Sequence, residues 1–238
     1  MIPLRDINPT RRVPVMTILL IAINALVFFY ELSLSQRGLQ QLTLRYGLVP
    51  ARVTAGLTRD TTLTFVTSMF LHGDWLHILG NMLYLWIFGN NVEDRLGIVR
   101  FIVFYFVTGF AAGMAQVLIA PSSSVPMIGA SGAIAGVLGG YIVLYPRARV
   151  QTLVIFWFFI RVIELSAAWV LGWWFVLQLL NGVFALQGAS QGGVAFFAHI
   201  GGFIGGAILI TVFTLGRSRD AWWTAPSDQP RRSDRWWD

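Results

Sequence analysis

The chain has 238 residues, of which 56% are hydrophobic and only 12% are charged; its mean hydropathy is +0.67 and its formal net charge is +6. Because soluble domains carry about 25% charged residues, this composition predicts a polytopic membrane protein rather than a soluble domain. Cysteine is absent and all 17 basic residues are arginine, which excludes cysteine nucleophiles, disulfides, lysine Schiff bases and serine–lysine dyads.

Six apolar segments are predicted to cross the membrane as helices, since about 20 apolar residues span the hydrocarbon core. In chain order they are residues 13–32, 75–88, 98–119, 127–145, 166–185 and 194–215. A cleaved signal peptide is the alternative for the first segment, but its apolar run is longer than a signal core and no convincing small-residue cleavage site follows it. The predicted fold is therefore an all-α six-helix transmembrane bundle.

Two segments are assigned outside these spans. Residues 33–74 form a long, partly polar connection. Residues 151–186 are too long for one span, and Arg161 or Glu164 at the bilayer centre would cost free energy. We therefore predict an interfacial segment over 151–163, with Arg161 and Glu164 able to pair across one turn if that segment is helical.

Arginine placement predicts the orientation of the bundle. Most arginines beside the predicted spans lie on the side that carries both termini, whereas the loops at 120–126 and 187–193 have no charge. By the positive-inside rule, both termini are expected in the cytoplasm. This divides the chain into a cytoplasmic segment (1–12), a membrane domain (13–215) and a disordered cytoplasmic tail (216–238), whose arginines are expected to meet anionic lipids rather than nucleic acid.

Ser131 and His199 are the strongest candidates for chemistry. They lie in the short motifs GASG (129–132) and AHIGG (198–202), each near the start of an apolar segment and each after a loop on the same predicted side. Polar side chains at membrane depth are costly unless they meet partners, so such residues indicate a functional site. The pair is interpreted as a nucleophile, Ser131, and its general base, His199.

Glycines flank both candidates. Gly129 precedes the serine, and the small residues that follow are spaced to form one face on each helix: Gly132 and Gly136 after Ser131, and Gly202 and Gly206 after His199. Faces of small residues allow helix backbones to approach closely. We expect these faces to bring the serine and the histidine together, although helix packing alone would also account for the glycines.

His77 and Asn81 are predicted to stabilise an oxyanion. They lie four residues apart, on one face of the second predicted span. Together with the backbone N–H of Ser131 they could donate hydrogen bonds to a tetrahedral intermediate, although a polar packing pair is the alternative. Asp74 is the only acid expected near this site and is predicted to cap the second span, which favours a dyad over a triad.

The motifs GASG, AHIGG and HILGN (77–81), with His72, Gly89 and Glu93 around the second span, resemble those of the rhomboid intramembrane serine proteases. The resemblance implies that Ser131 is the nucleophile, that His199 is the base and then the acid, and that His77 and Asn81 are oxyanion donors. It also implies hydrolysis of a peptide bond in transmembrane protein substrates within a lipid bilayer, with no metal and no organic cofactor.

Two departures from that family pattern stand out. Ala135 occupies the position, four after the serine, where many rhomboids carry an aromatic residue that packs on the histidine, so another side chain must hold His199. Leu63-Thr64 stands where a Trp-Arg pair is frequent. Neither departure removes a reacting group.

The expected location is a prokaryotic plasma membrane, with the site opening to the extracytoplasmic side. The alternative functions are a non-catalytic rhomboid-like protein that binds membrane clients and a small channel. Retention of Ser131 and His199 disfavours the first, and the clustering of polar residues at one side of the membrane disfavours the second. The sequence gives no indication of oligomeric state.

Overall fold

Helices make up most of the computed structural model, which describes residues 1–156, 159–186 and 195–216. The elements are β1 (Ile2–Asp6), α1 (Val15–Leu32), α2 (Gln36–Tyr46), α3 (Pro50–Ala55), α4 (Arg59–Thr67), α5 (Trp75–Tyr84), α6 (Asn90–Leu96), α7 (Ile98–Ile119), α8 (Ser131–Leu144), β2 (Arg149–Phe156), β3 (Phe159–Ser166), α9 (Ala167–Leu186) and α10 (Phe196–Phe213). A 3₁₀ turn (Ser68–Phe70) precedes α5, and a π-helical turn (Leu85–Gly89) joins α5 to α6.

Four of the described helices are long and apolar enough to cross a membrane: α1, α7, α9 and α10. The expectation of an integral membrane protein is thereby confirmed. α8 is a shorter apolar helix, and the second predicted span appears as α5, the π-helical turn and α6, which follow one another without interruption to Leu96.

Local signals account for several helix ends. The Thr58 side chain accepts a hydrogen bond from the Thr61 backbone N–H in a capping box that starts α4. The Asp74 carboxylate accepts the backbone N–H of His77 at 2.9 Å, which confirms the predicted cap of the second span. Pro146 follows the end of α8, where its ring and missing N–H prevent the helix from continuing.

α8 is the most enclosed helix of the bundle, and α7 and α10 pack against it. Its residues from Ala133 to Tyr141 are all buried. Glycine permits this proximity: a β-carbon on Gly202 would collide with the carbonyl group of Gly132, and one on Gly206 would collide with the backbone of Gly136. Close backbone contact between α8 and α10 therefore requires these small residues.

A three-stranded antiparallel sheet, in the order β1-β2-β3, replaces the predicted interfacial segment. β2 and β3 form a hairpin over residues that are rich in valine and isoleucine, which favour strands, and the N-terminal β1 pairs with β2 from far away in sequence. The all-α prediction is therefore wrong in this region. Arg161 and Glu164 lie three apart on a strand, on opposite faces of the sheet, so the predicted helical pairing is wrong too.

The sheet is anchored by a polar group that we call the Asp6 cluster, made of Asp6, Asn91 and Tyr141. Asn91 Nδ2 and the hydroxyl of Tyr141 both donate to Asp6 Oδ2, at 2.7 and 2.8 Å. Burial raises the pKa of Asp6 to about 6, although the hydrogen bond from Tyr141 opposes the shift. This cluster connects β1 to the last turn of α8.

Glu93 holds the start of α1. Its carboxylate accepts the backbone N–H groups of Met16 and Thr17 and the hydroxyl of Thr17, at 2.7 to 2.8 Å. The first N–H groups of a helix lack acceptors within the helix, and the carboxylate of Glu93 supplies acceptors for them from a distant part of the chain. The neighbouring Asp94 accepts the backbone N–H of Arg11 at 3.1 Å. Residues 93–95 thus include two carboxylates that bind the chain segment leading into α1.

Two predictions fall beyond the part of the chain that the structure describes. The uncharged loop at 187–193 is one of them. The other is the tail at 216–238, of which only Gly216 is described.

Candidate active site

Ser131 is the first residue of α8, placed there by a glycine in an unusual conformation. Gly129 has φ of +118°, a backbone region that residues with a side chain rarely adopt. Its N–H donates to the carbonyl of Ser68 at 2.8 Å, which ties the approach to α8 to the 3₁₀ turn before α5. Ser131 is half-buried at the start of a helix whose residues 133–141 are buried.

His199 lies in the first turn of α10, beside the serine. Its Nε2 atom is 2.7 Å from Ser131 Oγ, a hydrogen-bonding distance. The pair joins residues 68 positions apart in sequence, and the glycine contacts between α8 and α10 allow the two helices to come this close. The structure thus brings together the two residues predicted as nucleophile and base.

Gln178, which the sequence interpretation missed, contacts the other side of the same imidazole. Its Oε1 atom is 2.8 Å from His199 Nδ1. Trp174, one turn earlier on α9, places its ring centroid 5.9 Å from that of His199. These two side chains occupy the role left open by the small Ala135. A glutamine within an apolar span was the available signal, because polar residues in membrane helices are rarely without purpose.

His77 and Asn81 both face the backbone just before Ser131. A β-carbon on Gly129 would lie 2.6 Å from His77 Nε2 and 3.6 Å from Asn81 Nδ2. Gly73 N–H points at His77 Nδ1 over a long 3.5 Å, and the tautomer that agrees with this contact has its proton on Nε2, where it can donate. Two potential donors therefore lie beside the start of α8, as an oxyanion site would need.

The Asn81 amide is oriented by His72. Asn81 Nδ2 lies 2.8 Å from His72 Nε2, and since an amide nitrogen only donates, His72 must accept. Burial lowers the pKa of His72 to about 4, with a smaller contribution from neighbouring His77, so His72 is neutral at physiological pH and has a lone pair available. The second N–H of Asn81 remains free to point elsewhere.

An acid overlooked in the sequence lies close to this group. Glu31, in the last turn of α1, is only 3% exposed, and its two carboxylate oxygens accept the backbone N–H of His72 at 3.1 and 3.3 Å. The expectation that Asp74 would be the only nearby acid is therefore wrong. Glu31 positions the loop before α5, and no hydrogen bond to His199 or Ser131 from a carboxylate is found among the described residues.

The site consists of neutral groups arranged in a line: a hydroxyl, an imidazole and an amide. Such a line can move a proton from the hydroxyl to the imidazole while the amide holds the ring. Within the described ranges, no three or more His, Cys, Asp or Glu side chains are grouped so as to hold a metal ion.

A hydrogen-bonded serine and histidine between membrane helices define the class of site, and comparison with known proteins gives the family. The family model described as Rhomboid domain matches residues 59–216, which is more than half of the chain. The chain belongs to the rhomboid family.

Three relatives illustrate the match. The chain is 28% identical to Rhomboid-like protein 11, chloroplastic, of Arabidopsis thaliana over 80% of this chain and 62% of the relative. It is 30% identical to Rhomboid protein 1, mitochondrial, of Saccharomyces cerevisiae over 55% of this chain and 37% of the relative. It is 29% identical to Rhomboid protease GlpG of Salmonella choleraesuis over 63% of this chain and 48% of the relative.

The matches also bear on location and extent. In each case the chain spans less than two thirds of the relative's own length. The names include chloroplast and mitochondrion as locations, so the relatives do not support the expectation of a prokaryotic plasma membrane.

Proposed function

We propose that this protein is an intramembrane serine endopeptidase that hydrolyses a peptide bond in or near the transmembrane helix of membrane-protein substrates. The observation that carries the proposal is the 2.7 Å separation of Ser131 Oγ and His199 Nε2. A hydroxyl is a weak nucleophile on its own, and a base within hydrogen-bonding distance activates it. Membership of a family that includes a protein named a protease supports the same function.

In the proposed reaction, Ser131 Oγ attacks the carbonyl carbon of the scissile peptide bond while its proton moves to His199 Nε2. The carbonyl oxygen becomes an oxyanion, which accepts hydrogen bonds from His77, Asn81 and the backbone N–H of Ser131. His199 then gives its proton to the leaving amine nitrogen, which leaves an ester on Ser131.

Water completes the cycle. His199 takes a proton from the water molecule as its oxygen attacks the ester carbonyl, and then returns that proton to Ser131 Oγ, which releases the new carboxyl end. In a soluble triad, replacing the carboxylate that orients the histidine by an amide lowers the rate by about 10⁴. Since no carboxylate contacts His199 in the described residues, we expect a slow enzyme.

The proposal includes a topology. Six spans, formed by α1, the α5–α6 run, α7, α8, α9 and α10, would put both termini on one side of the bilayer. The arginine distribution favours the cytoplasm for that side. Ser131 at the start of α8 and His199 at the start of α10 would then open towards the extracytoplasmic side, where both helices would begin.

Cleavage by the purified protein, reconstituted in liposomes with a panel of single-span membrane substrates, tests the function. The panel should vary the small and helix-breaking residues near one end of the substrate helix. We expect a product from the wild type and none from Ser131→Ala or His199→Ala. If all three proteins are inert and still bind a substrate helix, the alternative of a non-catalytic client-binding protein takes precedence.

A further inference from the structure

Gln178 does not react in the mechanism above, but within the described residues it is the only side chain that hydrogen-bonds to the Nδ1 side of the His199 ring. We propose that Gln178 is a positioning residue that keeps the proton of neutral His199 on Nδ1, so that Nε2 is free to take the proton of Ser131. This inference rests on the proposed protease function.

The chemistry of the three groups determines the direction of each hydrogen bond. Neutral imidazole carries one proton, on either Nδ1 or Nε2. Only the form with the proton on Nδ1 can act as a base towards Ser131, whose Oγ lies 2.7 Å from Nε2. The amide oxygen of Gln178 only accepts, and it lies 2.8 Å from Nδ1, so it stabilises that form.

A flipped amide would have the opposite effect. The amide nitrogen of Gln178 would then donate to Nδ1, the proton would move to Nε2, and His199 could no longer accept from Ser131. A side chain that accepts a hydrogen bond and cannot donate one should therefore preserve the function of Gln178. A side chain that neither accepts nor donates should not. Glutamate is such an acceptor, and methionine has nearly the same length and shape without a strong acceptor.

The position of Gln178 on α9 agrees with a role directed at His199. Gln178 and Trp174 are four residues apart, hence on one face of the helix, and both contact the His199 ring. Asn181 is a second amide on α9, but it is exposed. On α8, Ala135 is fully buried and has only a methyl side chain, which cannot hydrogen-bond to an imidazole. Orientation of the imidazole thus depends on α9.

A fluorophosphonate forms an adduct with an activated serine. Its rate of reaction with Ser131 therefore measures the contribution of Gln178 without a known substrate. We expect Gln178→Met to lower the second-order rate of labelling of Ser131 about tenfold, the loss corresponding to one hydrogen bond of ordinary strength. Gln178→Glu should label at least as fast as the wild type, because its carboxylate accepts from Nδ1. Asn181→Met, the matched control on the same helix, should label as the wild type does.

Selective ¹⁵N labelling of histidine reports which ring nitrogen of His199 carries the proton, a property that a loss of packing alone would not change. The chain has only three histidines, and His199→Ala identifies the signals of His199. At pH 8 we expect the wild type to show a protonated Nδ1 and an unprotonated Nε2 at His199, and Gln178→Met to show a mixture of the two forms. The wild-type spectrum tests the inference even if Gln178→Met does not fold.

The outcomes separate the two proposals. A wild type whose Ser131 is not labelled contradicts the protease function, whatever Gln178 does. A wild type that is labelled, together with Gln178→Met labelled at the same rate, overturns the positioning role alone. A wild-type spectrum with the proton of His199 on Nε2 would overturn the positioning role as well. Equal losses in Gln178→Met and Gln178→Glu, with both variants as thermally stable as the wild type, would also overturn it.

Discussion

The two ends of α8 each hold a polar group, half-buried at the first turn and buried at the last, and the two groups differ in charge and in connectivity. At the first turn, Ser131, His199 and Gln178 form a line of neutral side chains. At the last turn, the Asp6 cluster centres on a carboxylate that receives two donors. Glu93, a further buried carboxylate, receives three.

The hydrogen-bond partners of a polar residue inside the bundle indicate whether it serves structure or function. A carboxylate surrounded by donors is a fixed anchor, since every bond it makes stabilises one arrangement. In the neutral group, the hydroxyl can instead pass its proton to the imidazole when a carbonyl group approaches, while the amide stays unchanged. Burial alone does not distinguish the two, because Glu93 and Asn81 are both buried. The kind of hydrogen-bond partner that each group has does distinguish them.

The first prediction concerns Asn81, a proposed oxyanion donor. Replacing Asn81 by alanine should lower kcat for substrate cleavage about 10²- to 10³-fold, as loss of one oxyanion donor does. Steady-state cleavage in liposomes measures it. Leu79→Ala, at an exposed position of the same helix, should leave kcat unchanged. A full-rate Asn81→Ala enzyme would remove Asn81 from the oxyanion site.

The second prediction concerns the structural side. Glu93→Ala leaves three donors at the start of α1 without a partner, so we expect the free energy of unfolding in detergent to fall by about 3 kcal/mol. Asp94→Ala, which removes the exposed hydrogen bond from the backbone N–H of Arg11, should cost less than about 1 kcal/mol. Labelling of Ser131 per folded molecule should be preserved in both. If Glu93→Ala abolished labelling without loss of stability, the assignment of Glu93 to structure would be wrong.

The third prediction uses the pH dependence of stability to detect the ionisation of Asp6. Its pKa is raised to about 6 in the folded protein, so ionisation of Asp6 opposes folding, and the associated stability is present at low pH and lost as pH rises through 6. Between pH 5 and pH 8 the loss should be about 1.4 kcal/mol. Asp6→Asn, measured by thermal unfolding beside the wild type, should lack that component. Parallel pH profiles for the two proteins would contradict the assignment.

The fourth and smallest prediction tests the aromatic contact to His199. Trp174→Leu should slow fluorophosphonate labelling about threefold, in line with the modest energy of a contact between two rings. Trp173→Leu, its exposed neighbour, is the control and should have no effect. A larger loss than that of Gln178→Met would make Trp174, rather than the amide, the principal support of the histidine.

The sequence singled out the parts of the candidate site that depend on short motifs and helix periodicity. Ser131 and His199 stood out because each is polar in an apolar run, and the glycine spacing indicated how α8 and α10 approach. Asp74 was identified as a cap from its position before an apolar helix. In each case the signal lies within a few residues of the feature itself.

Features that depend on distant partners were missed. The strands β2 and β3 are completed by β1, more than a hundred residues earlier, and an apolar run rich in β-branched residues does not by itself reveal such a partner. Gln178 was hidden because its significance depends on which helix face meets α10. Glu31 was overlooked because it lies at the very end of an apolar segment, where the backbone of His72 meets it only in the folded protein.

The most direct test of the account is to find where a fluorophosphonate attaches, by peptide mass spectrometry of the purified protein. We predict one adduct, on Ser131, in the wild type and in Glu93→Gln, and none in His199→Ala. That result would assign reactivity to the first turn of α8 and structure to the carboxylates. An unlabelled wild type, or equal labelling of Ser131 without His199, would contradict the account.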